Sequence, residues 1–479
     1  MKRHLLTQVA LFTLFVAHAL AQPAATTSDP AAPPTRSPSA NRAPVPASRL
    51  DTFLPSADAP RLSPRWPERL RHQERIAIIR PLNIPASKLF CSSGFFNSLL
   101  ASGIDSADSK LAKEQDAADL AALRSGLGLL ETDRIAPEGE NATPVRIRSD
   151  VPGRKPRPVA AGDPDSVQTF SVLTLHPTGP DQIQPDPALC RTTFALYAPI
   201  NPAPTAMAKV NRFVVLMPGI FGTPEQIIDP LIKHLRQNGS VVLRMLSQPS
   251  RFTEIVHFQI DTADPEQAAA QAIRAAAVID NRLAEVAYSV EAALDHCYTL
   301  DASLNTLPHV IMGISGGAIS LPPVVARSPQ RWQAAVIMGG SADFWLTISR
   351  SNYTDFIGSI QAVWLPPEAN TPAGSDARQA FDAEYLAHAS LDPYHTAAAL
   401  RGKPILFIQG SLDRAVPSTL ADLLWSRLGE PGPPSERWKT PLSHETLFLT
   451  LPARFQEISA WLDRAVPLQH DSNTPPESK

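Results

Sequence analysis

Three cysteines in 479 residues leave little room for covalent staples. Cys91, Cys190 and Cys297 can close one internal disulfide at most, which leaves a thiol over, and which pair would form stays open. Their spacing fits no zinc pattern, and the histidines are scattered without metal-ligand spacing, so no metal and no other cofactor is expected. Charge of one sign is scarce too. A formal net charge of -3 argues against nucleic acid or an anionic membrane as the main partner. Apolar runs long enough to span a bilayer are missing beyond the N-terminus.

What the chain has in excess is proline, 49 residues of it. Many crowd into residues 22–67 among Ala, Ser, Thr and Arg, a composition that cannot bury enough apolar surface to fold and reads as an extended disordered tether. Before it, Met1-Lys2-Arg3-His4 is basic, Leu5 to Leu20 is mostly apolar, and Ala19-Leu20-Ala21 is an A-x-A cleavage site. That is the form of a secretory signal peptide, residues 1–21, cut after Ala21, which predicts a secreted or periplasmic protein. Asn141, Asn238 and Asn352 begin N-x-S/T sequons that matter only in a glycosylating host.

Residues 68–165 carry no catalytic motif. Arg75 to Arg80 suits a short strand or the edge of a helix, and Lys110 to Leu130 has Ala, Leu and charges at helical spacing. The expectation is a mostly helical accessory segment. From residue 166 to 466 strands and helices alternate: Gln168–His176, Arg191–Ala198, Arg212–Met217, Val241–Leu246, Ala334–Met338 and Pro404–Ile408 read as strands, Gly222–Asn238 and Asp264–Leu294 as helices. Such alternation predicts an α/β fold with a mostly parallel sheet covered by helices on both faces, and ligands at the carboxyl ends of the strands. Residues 467–479 read as a disordered tail.

The central stretch is His309-Val-Ile-Met-Gly-Ile-Ser-Gly-Gly-Ala318. Four apolar residues make a buried strand, Gly313-Ile314-Ser315-Gly316-Gly317 fits G-x-S-x-G, and small residues then open a helix. A turn of that kind holds the Ser315 hydroxyl at its tip, beside backbone N–H groups and the positive end of a helix. The Leu321-Pro322-Pro323 run predicts that this helix is short, kinked or restarted near Val324. Two acids stand just past strand ends, Asp413 in Gly410-Ser-Leu-Asp-Arg-Ala-Val-Pro417 and Asp343 in Gly340-Ser-Ala-Asp343. His444, on a loop in Pro441-Leu-Ser-His-Glu445, precedes an amphipathic C-terminal helix. The order is Ser, Asp, His.

On Gly313–Gly317, Gly410–Pro417 and Ser443-His444 the chain resembles the α/β-hydrolase superfamily of serine esterases, lipases and peptidases, over about Gln168 to Arg464. The resemblance implies Ser315 as nucleophile, His444 as general base and then acid, and Asp413, with Asp343 as the alternative, as the group that orients the imidazole. It also implies an oxyanion hole. One donor would be the N–H of Gly316, and the other an N–H from the loop Met217-Pro-Gly-Ile-Phe-Gly-Thr223, Ile220 first and Phe221 next. The family often has His-Gly where this chain has Pro218-Gly219. Residues 341–402 look like a lid or cap. Their aromatics Phe344, Trp345, Tyr353, Phe356 and Trp364 either line an apolar substrate pocket or pack the insertion onto the sheet. The resulting expectation is a serine hydrolase acting on a small-molecule or lipid-like carboxylic ester. The alternatives are a peptidase or amidase of the same fold, and a non-catalytic binding protein built on it.

Overall fold

The computed structural model describes residues 76–82, 146–148, 167–175, 189–200, 210–220, 223, 225–249, 252, 255–352, 360–366, 375–429 and 431–467. The signal peptide, the proline-rich tether, the Lys110–Leu130 helix, Cys91, Phe221, Tyr353, Phe356 and the tail beyond 467 lie outside them.

A ten-stranded sheet organises the fold. Its strands are β1 (Ile76–Leu82), β2 (Arg146–Arg148), β3 (Val167–Leu175), β4 (Leu189–Tyr197), β5 (Arg212–Met217), β6 (Ser240–Met245), β8 (His309–Ile314), β9 (Trp332–Met338), β11 (Ile405–Gly410) and β12 (Glu436–Thr440). The remaining two, β7 (Val256–Asp261) and β10 (Ile360–Leu365), form a separate parallel pair. Across the large sheet the order is β12-β11-β9-β8-β5-β6-β4-β3-β1-β2. From β6 to β12 every neighbouring pair is parallel, and β4, β3 and β1 join antiparallel.

The apolar runs fold this way because both of their faces are covered. Along β5, Phe213, Val215 and Met217 enter one apolar cluster while Val214 and Leu216 enter another on the opposite face. In β8, Ile311 and its neighbours Val310 and Met312 divide in the same way. A period of two with both faces buried produces an unbroken hydrophobic string rather than an alternating one. One face is covered by α2 (Pro265–Leu300), α3 (Gly316–Arg327) and α7 (Ser418–Arg427), and the other by α1 (Glu225–Gln237), α8 (His444–Thr450) and α9 (Phe455–Ala465). Helix α2 is a single 36-residue helix. Asp264 starts it by accepting from the N–H groups of Glu266 and Gln267, with Pro265 in the first turn, where a missing donor costs nothing.

Several expectations need correction. Within Arg75–Arg80 the strand alternative holds: β1 pairs antiparallel with β3, burying Ala77 and Ile79, so the sheet includes residues before the boundary expected at residue 166. Helix α3 is not interrupted at Pro322-Pro323 but continues to Arg327, and all twelve of its residues are buried. Packing on every side there outweighs the local cost of proline. The 341–402 region contains α4 (Phe344–Arg350), β10, α5 (Ser375–His388) and α6 (Pro393–Thr396). It is only partly a cap. Residues 393–396 are all buried, and Tyr394 and Ala397 belong to the main core. Cys190 and Cys297 are both buried, and Cys297 is a free thiol.

Candidate active site

The chain leaves β5 for β6 on one side and β8 for β9 on the other, so the crevice beyond the carboxyl ends of β5 and β8 is the sheet's topological switch point. Ser315 sits at the end of β8 and Ile220 just past the end of β5, and both are partly exposed.

Ser315 has φ 52° and ψ −117°, a conformation that costs a non-glycine residue about 1–3 kcal/mol. Its N–H donates to the carbonyl of Met338 at 2.8 Å, and its own carbonyl accepts from Ile319 in the first turn of α3. The two motif glycines make room for this turn. A Cβ on Gly313 would lie 2.5 Å from the Gly317 carbonyl oxygen, and one on Gly317 would lie 2.5 Å from the carbonyl oxygens of Met217 and Pro218. Gly316 lies against the β5 loop: a Cβ there would stand 2.8 Å from the Ile220 nitrogen and overlap the Ile220 side chain. The backbone amides of Gly316 and Ile220 therefore belong to two segments in close contact beside the Ser315 hydroxyl. Phe221, the second candidate donor, is outside the described residues.

His444 Nε2 is 2.9 Å from Ser315 Oγ, and His444 Nδ1 is 2.6 Å from Asp413 Oδ2. An ionised carboxylate only accepts, so Nδ1 carries the proton and Nε2 presents a lone pair to the serine O–H. The other oxygen of Asp413 accepts from the N–H of Val416 at 2.7 Å. Both side chains are almost fully buried, at 2% exposure for Asp413 and 6% for His444. The strand ends are stitched together to bring the acid and the histidine side by side: Ser411 N–H donates to Thr440 O and Leu412 N–H to Leu442 O.

His444 is the first residue of α8, not a loop residue. Ser443 caps that helix in a reciprocal box with Thr446, a Ser-x-x-Thr pattern visible in the sequence that marks the helix start at His444. Two neighbours of the imidazole carry no motif in the sequence. Phe448, one turn along α8, packs edge-on to the imidazole at 4.7 Å, and Gly339 lies close to both rings: a Cβ there would stand 3.1 Å from Phe448 Cζ and 3.3 Å from His444 Cε1.

Asp343, the alternative acid, does not join this group. It caps α4, accepting from Leu346 N–H at 2.9 Å, with φ 60°. Burial, reinforced by the charges of Asp392 and Asp382, pushes its carboxyl well above the usual carboxylate range. Phe344 and Trp345 are each 1% exposed and serve packing, not a pocket. Phe344 meets Phe252 edge-on, and Trp345 lies against Phe258, Phe381 and Tyr385. Trp364 is half-buried on Phe381. Tyr353 is outside the described residues. Among those residues no group of three or more His, Cys, Asp or Glu could hold a metal ion, and no helix is long and apolar enough to cross a membrane.

Strand order and the turn at Ser315 together define an α/β-hydrolase fold. No family model matches the chain, and no curated protein does. Among solved structures it is similar to an esterase from Pyrococcus furiosus, at 13% identity and TM-score 0.36 over 59% of this chain and 88% of that one. A carboxyl esterase from Bacillus coagulans gives 11% and 0.35 over 58% and 94%. An acylaminoacyl peptidase from Pyrococcus horikoshii gives 11% and 0.38 over 64% of this chain and 49% of the peptidase, so the match spans about half of that protein.

Proposed function

We propose that this chain is a serine hydrolase that cleaves carboxylic esters through an acyl-enzyme. The observation that carries the reading is the hydrogen-bonded series Ser315–His444–Asp413, at 2.9 and 2.6 Å, on a strained serine at the sheet's switch point. In this reading His444 Nε2 takes the Ser315 proton as Oγ attacks the ester carbonyl. The charge that develops on the carbonyl oxygen is met by the N–H groups of Gly316 and Ile220. The protonated imidazole, held by Asp413, returns its proton to the departing alcohol. Water then repeats the cycle on the acyl-serine. Fixed donors at the oxyanion contribute about 3 kcal/mol each to the barrier reduction. The Met1–Ala21 segment adds the proposal that the enzyme works outside the cytoplasm.

The test uses the chain from Gln22 and its Ser315→Ala variant on p-nitrophenyl esters of increasing acyl length and on aminoacyl anilides. Ester turnover that vanishes in the variant is the expected result. Turnover of anilides alone would move the assignment to a peptidase. Inactivity on both, with no labelling of Ser315 by a fluorophosphonate, would sink the hydrolase reading in favour of a binding protein.

A further inference from the structure

Gln248 stands three residues past β6, the strand next to β5, and is 2% exposed. Its side-chain nitrogen lies 2.9 Å from the carbonyl oxygen of Pro218. A carbonyl only accepts, so the contact fixes the orientation of the amide: Nε2 donates to Pro218, and Oε1 points the other way. Among the described residues Oε1 has no hydrogen-bond partner. A buried primary amide satisfied at one end only is a poor choice for stability, because its unpaired carbonyl has lost its water. The value of Gln248 lies in what its donor holds.

What it holds is the β5 loop. Pro218 is two residues before Ile220, whose backbone nitrogen lies close against Gly316. Three other contacts act on the same short stretch. Gly317 packs its Cα against the carbonyls of Met217 and Pro218, Gly316 lies against Ile220, and the N–H of Gly219 donates to Thr223 Oγ1 at 3.3 Å. The glycines set how closely the loop approaches the turn at Ser315. The rotation of the Pro218–Gly219 peptide, which decides where the following amides point, is held at both ends: Thr223 accepts from its N–H at 3.3 Å, and Gln248 donates to its oxygen at 2.9 Å, the shorter bond of the two.

We propose that Gln248 is a positioning residue for the oxyanion hole: it orients the Pro218–Gly219 peptide and so aims the Ile220 N–H. This inference rests on the hydrolase reading above. It makes no claim that Gln248 touches substrate.

The test is Gln248→Met, which keeps size and removes the donor, measured on the full mature chain with p-nitrophenyl acetate. Three results are expected together. The kcat falls about 10- to 100-fold while KM stays within about twofold, since only the transition state uses the donor. The pH profile keeps its midpoint, since His444 and Asp413 are untouched. The melting temperature stays close to that of wild type, because the loss of the unpaired Gln248 carbonyl offsets the Pro218 carbonyl left without its donor. A general packing defect would instead lower melting temperature and activity in step.

A second measurement is independent of how much of the variant folds. The ratio of the inhibition constants of an aryl trifluoromethyl ketone, which adds Ser315 as an oxyanion, and its matching methyl ketone should shift by the same factor as kcat. Gln248→Met with kcat within twofold of wild type, or with an unchanged inhibitor ratio, overturns the inference and leaves the hydrolase reading standing. A wild type that neither turns over esters nor labels with fluorophosphonate overturns both.

Discussion

Asp413 Oδ2 accepts from His444 Nδ1 at 2.6 Å, while Asp343, the other acid at a strand end, is fully buried and caps α4. The two acids are therefore separable by substitution. Asp413→Asn replaces an acceptor by an amide that can hold His444 in the wrong tautomer, and kcat should fall by about 10³–10⁴. Asp343→Asn replaces a carboxyl whose charged form burial already disfavours, and Asn can still accept from Leu346. Its kcat on p-nitrophenyl acetate should stay within about threefold of wild type. A large loss in Asp343→Asn with a small one in Asp413→Asn would reverse the assignment.

The close approach of Gly316 to Ile220 makes a sharper prediction for the oxyanion hole. A methyl group on Gly316 keeps its N–H but meets the Ile220 nitrogen at 2.8 Å and the Ile220 side chain as well. The β5 loop must retreat, and its N–H moves off target. Gly316→Ala should lower kcat by about 100-fold with the protein folded, as followed by circular dichroism and steady-state kinetics. An active Gly316→Ala would mean that the Ile220 amide is not a donor in the reaction.

The parts of this architecture that the sequence exposes are those where both faces of an element are buried or where a turn demands special residues. Arg212–Met217 and the run to Ile314 were legible because every position is apolar or covered. Edge and cap strands were not. The β12 sequence Glu-Arg-Trp-Lys-Thr is mostly charged because the strand lies at the sheet edge, where Arg437 and Lys439 reach Asp422 on α7. The β7 sequence Val-His-Phe-Gln-Ile-Asp alternates over too short a span to stand out, and its partner β10 is about 100 residues away. The three relay residues could be picked out by their order and their turn chemistry. The choice between two acids could not, because both follow strands and only packing decides which one faces His444. Gln248 has no local signal: its role depends on β6 lying beside β5, a fact of strand order.

Assigning the cap aromatics to packing changes what their loss should do. Trp345→Ala would empty the space between Phe258, Phe381 and Tyr385, at a cost of about 3–5 kcal/mol. Denaturant melts should show that loss, while the ranking of acyl chain lengths by kcat/KM should match wild type for the fraction that folds. A changed ranking with unchanged stability would return Trp345 to the substrate pocket.

His309, at the far end of β8 from Ser315, predicts how the fold responds to acid. Burial pulls its imidazole down to about 4, and the local geometry agrees. Nδ1 lies 2.7 Å from the Leu307 carbonyl, so it is the protonated nitrogen, and Nε2 is left to accept from the Tyr298 hydroxyl at 2.7 Å. The ring is neutral in the fold, whereas its unfolded value is 6.5. Between those values the unfolded chain binds more protons, so the stability contribution is complete above 6.5 and is lost as pH falls toward 4. The full difference is about 3 kcal/mol. His296, pulled down to about 4 by burial as well, works in the same sense, and Asp382, pushed up to about 7 mainly by burial, works in the opposite sense over much of the same range, so the wild-type curve alone mixes these contributions. Comparison with His309→Gln separates them. The variant should melt lower at pH 7, where it has lost a fitted side chain, yet its melting temperature should fall less than that of wild type between pH 7 and 4.5. Parallel curves would mean that His309 takes up no proton on unfolding and that its buried neutral state is not what acid attacks.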